Sequence, residues 1–267
     1  MSHITQAKRI VIKVGTSTLT YETGRLNLRR MEELCKVLCG LKNEGREIIL
    51  VTSGAVGVGM GKLGLHKRPE EIEQRQAVAA VGQCELMFMY DKFFGEYNHI
   101  VAQVLLTKDV VQNTIMRRNA ENTFLTLLQL GSIPVVNEND SVATDELSGN
   151  NFGDNDTLSA TVAHLTQADL LVILTDIDGL YNDNPRLNPD AKRIPCVYGV
   201  TDAIRALAGG AGSDRGTGGM ATKVTAAEMA NDAGIPCVVM SGANPRDLYD
   251  LFDGVIVGTS FFPAKGK

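Results

Sequence analysis

The sequence contains no apolar run of about 18 residues or more, and Lys13 interrupts the apolar residues near its N-terminus, so a signal-peptide core is missing as well. We therefore expect no membrane partner and a cytoplasmic location. The formal net charge of −5 provides no general attraction for nucleic acid or anionic membranes. We expect no nucleic acid partner, and any phosphate site has to be a local basic cluster.

Paired cysteine motifs are also missing. The five cysteines are scattered without a CxxC pair, and the four histidines are isolated from one another. Cys35 and Cys39 lie about one turn apart on a predicted helix, where they could face the core or a metal. Without a second pair of ligands, buried free thiols are the better interpretation, and we expect no zinc site built by the protein.

The familiar nucleotide-binding motifs are absent or misplaced. No Walker A sequence occurs. A GxGxxG match at Gly59, Gly61 and Gly64 begins well beyond the end of a predicted strand, whereas a dinucleotide fingerprint starts at the turn between strand and helix. An NAD-dependent oxidoreductase therefore stays only as a weaker alternative.

The remaining composition is that of a packed globular protein, with 44% hydrophobic and 21% charged residues. Strand and helix patterns alternate with short connections, which favours one bilobal α/β domain over residues 1–267 with a mostly parallel sheet. The predicted strands are 9–14, 47–51, 100–106, 133–136, 170–174, 237–240 and 255–257. The predicted helices are 27–45, about 69–97 with Gly82 interrupting it, 119–130, 201–208, about 219–233 and about 245–252.

The segment Gly216–Lys223 joins three glycines, two hydroxyl groups and a lysine at the start of a predicted helix. Glycines let backbone N–H groups approach an anion, and the N-terminus of a helix adds positive potential. Lys223 follows Gly219 by about one turn, so its ammonium group could reach the same oxygens. We interpret the segment as a phosphate site, with a flexible surface loop as the alternative.

A second lysine, Lys13, lies near the end of the first predicted strand. It precedes the hydroxyl-rich turn Gly15–Thr18 at the carboxyl edge of the sheet, where open α/β folds bind their ligands. A lysine that extends from an edge strand into solvent is an equally good interpretation of this segment alone.

Two polar segments, Asn137–Ser141 and Gly153–Thr157, are poor material for a core. They suit a ligand that carries an ammonium group, or the orientation of lysines. Helix capping would explain Asp154 but not its neighbours. Asp176 and Asp178 follow the most hydrophobic strand and could bind ribose hydroxyls, a metal or nothing.

The ordered motifs KVGTS (13–17), VTSGAVGVG (51–59), PVVNENDSVAT (134–144), GDNDTLSA (153–160), LTDIDGLYNDNPR (174–186) and GTGGMATK (216–223) run through nearly the whole chain. With this set the sequence resembles the glutamate 5-kinases, also called gamma-glutamyl kinases, of the amino acid kinase superfamily. The resemblance implies a three-layer αβα sandwich over a mostly parallel sheet. It implies acid-substrate binding by about 1–167 and nucleotide binding by about 168–267. The C-terminal RNA-binding-like domain that many members carry would be lacking.

The resemblance also implies the activity and the residues that serve it. ATP would phosphorylate the side-chain carboxylate of L-glutamate in the first step of proline biosynthesis, with Mg²⁺ on the ATP and no protein ligand of the metal assigned. Lys13 and Lys223 would be catalytic, together with Asp156, which would orient them. Ser53, Asp140 and Asn155 would hold the glutamate. The ATP-binding residues would be Lys13, Thr175, Asp176, Thr217, Gly218, Gly219, Met220, Ala221, Thr222 and Lys223.

Feedback inhibition by proline and a homo-oligomer, either dimer or tetramer, are further implications of the resemblance. An acetylglutamate-, aspartate- or uridylate-type kinase of the same superfamily is the nearest alternative, and only the NEND and GDND segments argue against it. A small-ligand sensor without catalytic activity on the same fold is another alternative.

Overall fold

The computed structural model describes residues 2–21, 23, 25–143, 154–185, 187–209 and 219–264. Within these ranges eight strands form one sheet in the order β3-β4-β2-β1-β5-β7-β8-β6. All hydrogen-bonded pairs are parallel except β7 with β8. The strands are β1 (Arg9–Val14), β2 (Glu47–Val51), β3 (Val101–Leu106), β4 (Ile133–Glu138), β5 (Leu170–Thr175), β6 (Cys196–Tyr198), β7 (Cys237–Ser241) and β8 (Gly258–Phe262).

Helices connect the strands and cover both faces of the sheet. They are α1 (Ser2–Thr5), α2 (Thr16–Leu19), α3 (Leu28–Asn43), α4 (Ala55–Leu63), α5 (Ile72–Gly95), α6 (Lys108–Gln112), α7 (Thr114–Gln129), α8 (Asn155–Leu165), α9 (Asp202–Ala208), α10 (Met220–Asp232) and α11 (Asp247–Phe252). None of the helices in the described ranges is both long enough and apolar enough to span a bilayer.

Two hydrophobic cores lie on opposite faces of the sheet, because successive side chains of a strand point to opposite faces. Ile10, Ile12 and Val14 of β1 enter a core that α3, α5 and α11 cover, whereas Val11 enters a core under α7, α8 and α10. Full burial of one aliphatic side chain of this size contributes about 1.5–3 kcal/mol. This arrangement confirms the predicted three-layer αβα sandwich.

Helix α3 forms where the sequence predicts it. The side chain of Asn27 caps its N-terminus by accepting a hydrogen bond from the backbone N–H of Arg30. Cys35 and Cys39 are buried free thiols on its inner face. Burial raises the pKa of the Cys39 thiol to about 11, despite the opposing effect of Lys42, so this thiol stays protonated at neutral pH.

Gly82 does not interrupt its helix, contrary to the prediction. It lies inside α5, where α5 crosses α4 at close range. A Cβ atom at Gly82 would lie 2.5 Å from the backbone nitrogen of Gly59 and closer still to the carbonyl oxygen of Ala55. The glycine is therefore needed for the helix crossing and not for a break in the helix.

The last predicted strand, 255–257, is wrong. Val255 and Ile256 are exposed, and the strand is β8 instead. The polar residues of β8 do not show the apolar pattern of a buried strand. Thr259 is nonetheless fully buried, because its hydroxyl is satisfied: Oγ1 accepts from Leu180 N at 2.8 Å and donates to Ile194 O at 2.6 Å.

Further elements differ from the prediction, among them β6 and the start of α7. The short strand β6, which pairs with β8, was not predicted, since only three residues take part. Helix α7 begins at Thr114 and not at 119, because Asn113 accepts hydrogen bonds from the backbone N–H groups of Ile115 and Met116.

Candidate active site

The candidate site lies at the carboxyl edge of the sheet. Lys13, near the end of β1, pairs in register with Val51 of β2 on one side and with Ile173 of β5 on the other. Because these strands are parallel, the polar residues that follow β2 and β5 flank Lys13. This is the edge at which open α/β sheets bind ligands.

Two lysines from opposite ends of the chain meet at one carboxylate here. Lys13 Nζ lies 2.7 Å from Asp156 Oδ1, and Lys223 Nζ lies 3.1 Å from Asp156 Oδ2. The exposed fractions of the three side chains are 9%, 5% and 1% for Lys13, Lys223 and Asp156. We call Lys13, Asp156 and Lys223 the lysine–aspartate cluster.

The charges of the lysine–aspartate cluster do not cancel. Burial by itself raises the pKa of the Asp156 carboxyl, but the ammonium groups of Lys13 and Lys223 outweigh it and hold that pKa below its ordinary value. Asp156 is therefore ionised at neutral pH. Two ammonium groups against one carboxylate leave an excess of positive charge, which suits an anionic ligand.

Two helix N-termini bring the cluster together. Asp156 lies in the first turn of α8, which Asp154 caps by accepting from the backbone N–H of Thr157 at 2.8 Å. Lys223 lies in the first turns of α10, whose N-cap is Gly219. Thr222 joins the two helices, because its Oγ1 donates to Asp156 Oδ2 at 2.8 Å. The positive ends of both helices therefore lie at the same place as the lysines.

The turn after β1 is a short helix and not only a turn. Gly15 is the N-cap of α2, and a Cβ atom built on it would lie 3.7 Å from the ammonium nitrogen of Lys13. Without a side chain at this position, the space next to that ammonium group stays open. This is the kind of close approach to a ligand for which glycine is used.

Ser53, a predicted substrate residue, is tied to the neighbouring strand. Its hydroxyl donates to Val14 O at 3.1 Å and accepts from Thr16 Oγ1 at 3.2 Å. Gly54 follows with φ of 97°, a left-handed conformation that turns the chain from β2 into α4. Thr16 was not singled out in the sequence, although it lies in the hydroxyl-rich segment after Lys13.

Asn155, also predicted to bind the acid substrate, lies at the start of α8. Its Nδ2 donates to Thr52 O at 2.6 Å and to Asn137 Oδ1 at 3.0 Å. Asn137 is only 2% exposed and receives the backbone N–H of Glu138 at 2.9 Å on the same oxygen. In the sequence, Asn137 and Thr52 stood out only as members of longer motifs, Asn137–Ser141 and VTSGAVGVG (51–59), and neither was given a role.

Asp140 lies two residues beyond β4 at the same edge of the sheet. Burial raises the pKa of its carboxyl, and the charge of Arg68 partly opposes this shift. Among the described residues it makes no hydrogen bond with Ser53 or Asn155. The structure thus brings Asp140 to the predicted edge without joining it to the other predicted substrate residues.

The residues after β5 fall into two groups. Thr175 is buried and donates from Oγ1 to Asp176 Oδ1 at 3.1 Å, while Asp176 is exposed at the edge of the sheet. Asp178 has structural partners instead: it accepts from Tyr181 Oη at 2.8 Å and pairs with Arg193 at 3.3 Å. Of the two carboxylates noted in the sequence, Asp178 is therefore engaged by two distant side chains, whereas the described side-chain partner of Asp176 is its neighbour Thr175.

Part of the predicted phosphate loop lies outside the described residues, namely Gly216, Thr217 and Gly218. Of the rest, Gly219 caps α10, and Met220 and Ala221 form its first turn together with Thr222. The predicted cradle around phosphate therefore stays a prediction. Residues 144–153, which join Asp140 to α8 in the sequence, also lie outside the described part.

The GxGxxG match has a packing explanation. A Cβ atom on Gly59 would overlap the carbonyl oxygen of Val78 across the crossing of α4 and α5, and Gly64 ends α4 with φ of 69°. These glycines are therefore explained by helix packing and helix termination without a dinucleotide.

The donor set at this edge fits a triphosphate. It consists of two ammonium groups and two helix N-termini, which favour phosphate oxygens, whereas the hydroxyl hydrogen of Thr222 is already donated to Asp156. In the part of the chain that the structure describes, no group of three or more His, Cys, Asp or Glu residues could hold a metal ion. A divalent ion at this site would therefore need ligands from the nucleotide and from water.

Comparison with known proteins shows which family the chain resembles. The model of the amino acid kinase family matches residues 8–241. A protein named glutamate 5-kinase from Clostridium perfringens is 56% identical over 262 residues, which are 98% of this chain and 97% of that protein. Proteins of the same name from Listeria innocua and Moorella thermoacetica are 54% and 52% identical, over 97% and 99% of this chain and 94% and 69% of their own lengths.

Solved structures agree on the fold. An isopentenyl phosphate kinase from T. acidophilum aligns with a TM-score of 0.63 at 17% identity, over 95% of this chain and 100% of that one. A UMP kinase from Bacillus anthracis aligns with a TM-score of 0.65, also at 17% identity, over 96% of both chains. At this identity the likeness concerns the fold alone. The match to the family model and the identity to its relatives show that the chain belongs to the amino acid kinase family and, within it, to the glutamate 5-kinases.

Proposed function

We propose that the protein transfers the terminal phosphoryl group of ATP to the side-chain carboxylate of L-glutamate, which yields γ-glutamyl phosphate, the first intermediate of proline biosynthesis. The observation that carries this proposal is the lysine–aspartate cluster at the carboxyl edge of the sheet. It supplies excess positive charge where two anions, the triphosphate and the substrate carboxylate, have to approach each other.

The nucleophile in this reaction needs no base from the protein. A glutamate side chain has an ordinary pKa near 4.3, so it is ionised at neutral pH and attacks as the carboxylate. What the protein has to provide is alignment of the two reactants and compensation of their charges. The oxygen of the carboxylate forms a bond to the terminal phosphorus, and the bond from that phosphorus to the bridging oxygen of ADP breaks.

Lys13 and Lys223 would contact the phosphate oxygens, on which negative charge accumulates as the phosphoryl group moves. Asp156 touches both ammonium groups and would fix their positions before ATP binds. Fixed donors need no rearrangement during the reaction, which is the basis of electrostatic catalysis in a site sheltered from water. The burial of all three side chains supports this assignment.

Mg²⁺ would enter with ATP, neutralise part of the phosphate charge and supply the remaining stabilisation of the transition state. Asp176, which is exposed at the end of β5, is the described carboxylate that we assign to the nucleotide side of the site. Thr175 would orient it through the hydrogen bond between their side chains.

The two halves of the chain would bind different substrates. In the order of the strands across the sheet, β1 to β4 form one half and β5 to β8 form the other half. Ser53, Asp140 and Asn155, which we assign to glutamate, belong to the first half, whereas Thr222 and Lys223 belong to the second. The contact between Asp156 and Lys223 would then join the acid side to the nucleotide side.

Trapping of the product tests the proposal directly. The protein is incubated with ATP, Mg²⁺, L-glutamate and hydroxylamine, which converts an acyl phosphate to a hydroxamate. We expect γ-glutamyl hydroxamate and an equal amount of ADP, both dependent on glutamate. A folded protein that forms no hydroxamate in this mixture contradicts the proposed function.

Other phosphoryl acceptors distinguish a glutamate kinase from kinases of the same fold that act on other substrates. Aspartate, N-acetylglutamate and UMP replace glutamate in the same mixture, and formation of ADP is measured. We expect glutamate to be preferred to N-acetylglutamate and UMP, because Asp140 and Asn155 offer acceptors for a free ammonium group, which those two acceptors lack. Faster turnover of one of the other acceptors contradicts the assignment of the substrate while leaving a kinase reaction intact.

A cytoplasmic location, assembly into a dimer or tetramer and inhibition by proline complete the proposal. The resemblance of the sequence supports the assembly and the inhibition. Exposed apolar side chains on α5 and α7, such as Phe88 and Ile115, are available for contacts between subunits. Sedimentation measures the assembly, and titration of proline into the hydroxamate reaction measures the inhibition.

A further inference from the structure

A chain of three side-chain amides connects α5 to the predicted glutamate site. Gln83 Oε1 accepts from Asn137 Nδ2 at 2.8 Å, and Asn137 Oδ1 accepts from Asn155 Nδ2 at 3.0 Å. Gln83 and Asn137 are 8% and 2% exposed. We call Gln83, Asn137 and Asn155 the amide relay.

Backbone groups at two points fix the polarity of the amide relay. The N–H of Glu138 donates to Asn137 Oδ1, and the carbonyl oxygen of Thr52 accepts from Asn155 Nδ2. A backbone N–H can only donate and a carbonyl can only accept, so neither asparagine amide can turn over without losing a bond. Gln83 must then present its oxygen to Asn137.

The fixed polarity determines which atom of Asn155 a ligand meets. Both hydrogens of its NH₂ group point to protein acceptors, Thr52 O and Asn137 Oδ1. Asn155 Oδ1 therefore remains as the group available to a ligand, and it is an acceptor. An acceptor at this position favours a ligand that carries a donor, such as an ammonium group.

The polarity has a cost at the far end of the relay. Gln83 Nε2 is buried and has no acceptor among the described residues. A buried donor without a partner destabilises a fold, and such groups are rare in proteins. The relay keeps Gln83 in this orientation all the same, since turning its amide would place two NH₂ groups against each other at Asn137.

Helix α5 contacts both hydrogen-bond partners of Asn155, namely Asn137 and Thr52. Gln83 reaches Asn137, and Tyr90, two turns further along the same face, has its hydroxyl 2.8 Å from Thr52 Oγ1. The backbones of α5 and α4 approach each other closely at Gly82, where a Cβ atom would overlap backbone atoms of α4. The position of Gln83 is therefore determined by packing before any ligand binds.

We propose that Gln83 is a positioning residue of the glutamate site, which acts through Asn137 to hold Asn155 with its oxygen available to the ammonium group of the substrate. Gln83 itself touches no substrate. The inference rests on the proposed function, and it adds a determinant of specificity: the relay helps the site to prefer an amino acid over a dicarboxylate without an amino group.

The test compares glutamate with glutarate, which has the same carboxylates and lacks the ammonium group. In Gln83→Met the side chain keeps its length and loses the acceptor, and the unpaired donor of Gln83 disappears with it. We expect the ratio of kcat/KM for glutamate to that for glutarate, measured as hydroxamate formed, to fall about tenfold. The change should lie in KM for glutamate, with KM for ATP unaltered.

Gln83→Glu keeps an acceptor towards Asn137 in either protonation state, and we expect it to restore most of the ratio. Gln74→Met, on the exposed face of α5, is the matched control and should leave the ratio unchanged. If Gln83→Met does not fold, Gln83→Leu removes the same acceptor.

The outcomes separate this inference from the proposed function. A wild-type protein that forms no hydroxamate from glutamate contradicts both. Active wild type together with a folded Gln83→Met or Gln83→Leu variant of unchanged ratio overturns the inference alone. A loss that is equal for glutamate and glutarate also overturns it, because a merely structural role affects both substrates alike.

Discussion

The ammonium group of Lys13 lies 2.7 Å from Oδ1 of Asp156, and both side chains are almost fully removed from solvent. Removing two charges from water costs several kcal/mol for each ion, and the attraction between them returns this only with good geometry and further hydrogen bonds. Lys223 and Thr222 supply those bonds at Oδ2. Buried ion clusters add little net stability compared with apolar packing, so this one is better explained by ligand binding.

Replacement of the shared carboxylate is expected to unbalance the cluster. In Asp156→Asn the negative charge of the carboxylate is lost. The two buried ammonium groups of Lys13 and Lys223 then repel each other without compensation. Since breaking a buried pair on one side costs about 3–5 kcal/mol, we expect the free energy of unfolding to fall by about that amount. Urea unfolding without ligand measures it.

Binding of ATP should restore part of the stability that Asp156→Asn loses. A triphosphate brings the missing negative charge to the two lysines, so ATP should raise the midpoint of thermal unfolding more in Asp156→Asn than in the wild type. Asp253→Asn, at an exposed carboxylate, is the control. Equal shifts in the two proteins would show that the lysines do not meet the phosphates.

The pH dependence of stability follows from the same carboxylate. The lysines hold the pKa of Asp156 in the folded protein below its unfolded value of about 3.9. The folded state therefore binds this proton less readily. The stabilisation by Asp156 is complete above about pH 4 and is lost as the pH falls through the lower, folded pKa.

Urea unfolding of the wild type and Asp156→Asn between about pH 3 and pH 7 checks this sign. The difference in unfolding free energy should be constant near neutral pH and should shrink only at the acid end. A difference that grows on acidification would mean that the pKa of Asp156 is raised instead.

Removal of one ammonium group is expected to affect the reaction more than the binding of glutamate. Lys223→Met keeps the aliphatic stem and removes the charge that would meet the moving phosphoryl group. By analogy with the loss of one transition-state donor, kcat should fall about 10²–10³-fold while KM for glutamate changes little. Steady-state kinetics measures both constants. Lys92→Met, which replaces an exposed lysine, is the control. A raised KM for glutamate at unchanged kcat would reverse the assignment.

Asp140 is expected to show a conflict between stability and binding. Burial raises the pKa of its carboxyl, so ionisation of Asp140 costs more free energy in the folded protein than in the unfolded chain. Asp140→Asn should therefore raise the midpoint of thermal unfolding at pH 7, and this gain should vanish as the pH falls and the wild-type carboxyl becomes protonated.

The same substitution should weaken the binding of glutamate. Loss of a charged acceptor for the ammonium group predicts a KM for glutamate about 10–100-fold higher with little change in kcat. Glutarate, which has no ammonium group, should be affected much less. A variant that is more stable but binds glutamate as well as the wild type would remove Asp140 from the substrate site.

Much of the fold could be predicted from the sequence, because the inner strands β1, β2, β4 and β5 are apolar runs bounded by turn residues. The failure at β8 has a physical cause. Strand β8 has the polar sequence Gly258–Ser260, which is buried only because Thr259 finds hydrogen-bond partners in two other segments. Such partners are far away in the sequence, and a local pattern does not contain them.

The charged residues of the site could be predicted from the sequence, whereas the residue that we propose to position its ligand-binding side chains could not. The sequence separates Lys13 and Lys223 by most of its length, and the motifs placed each of them beside glycine and hydroxyl residues. The structure shows that Asp156 contacts both; their catalytic roles stay a prediction. Gln83 had no local signal, since its importance depends on a hydrogen bond to Asn137 across the interface between a helix and a strand.

Gly82 shows how a helix-weakening residue can be necessary for packing. A Cβ atom at this position would meet backbone atoms of α4, which cannot move aside as a flexible side chain could. Gly82→Ala should therefore push α4 and α5 apart. We expect a loss of about 1–3 kcal/mol in unfolding free energy, although alanine is the better helix former by about 1 kcal/mol.

Gly95→Ala is the matched control, because Gly95 lies in the same helix and a Cβ atom on it would meet nothing within 4 Å. It should be neutral or slightly stabilising. Since α4 follows Ser53 and α5 carries Gln83, Gly82→Ala should also raise KM for glutamate more than KM for ATP. If Gly82→Ala were as stable as Gly95→Ala, with unchanged kinetics, the helix crossing would not control the position of the glutamate site.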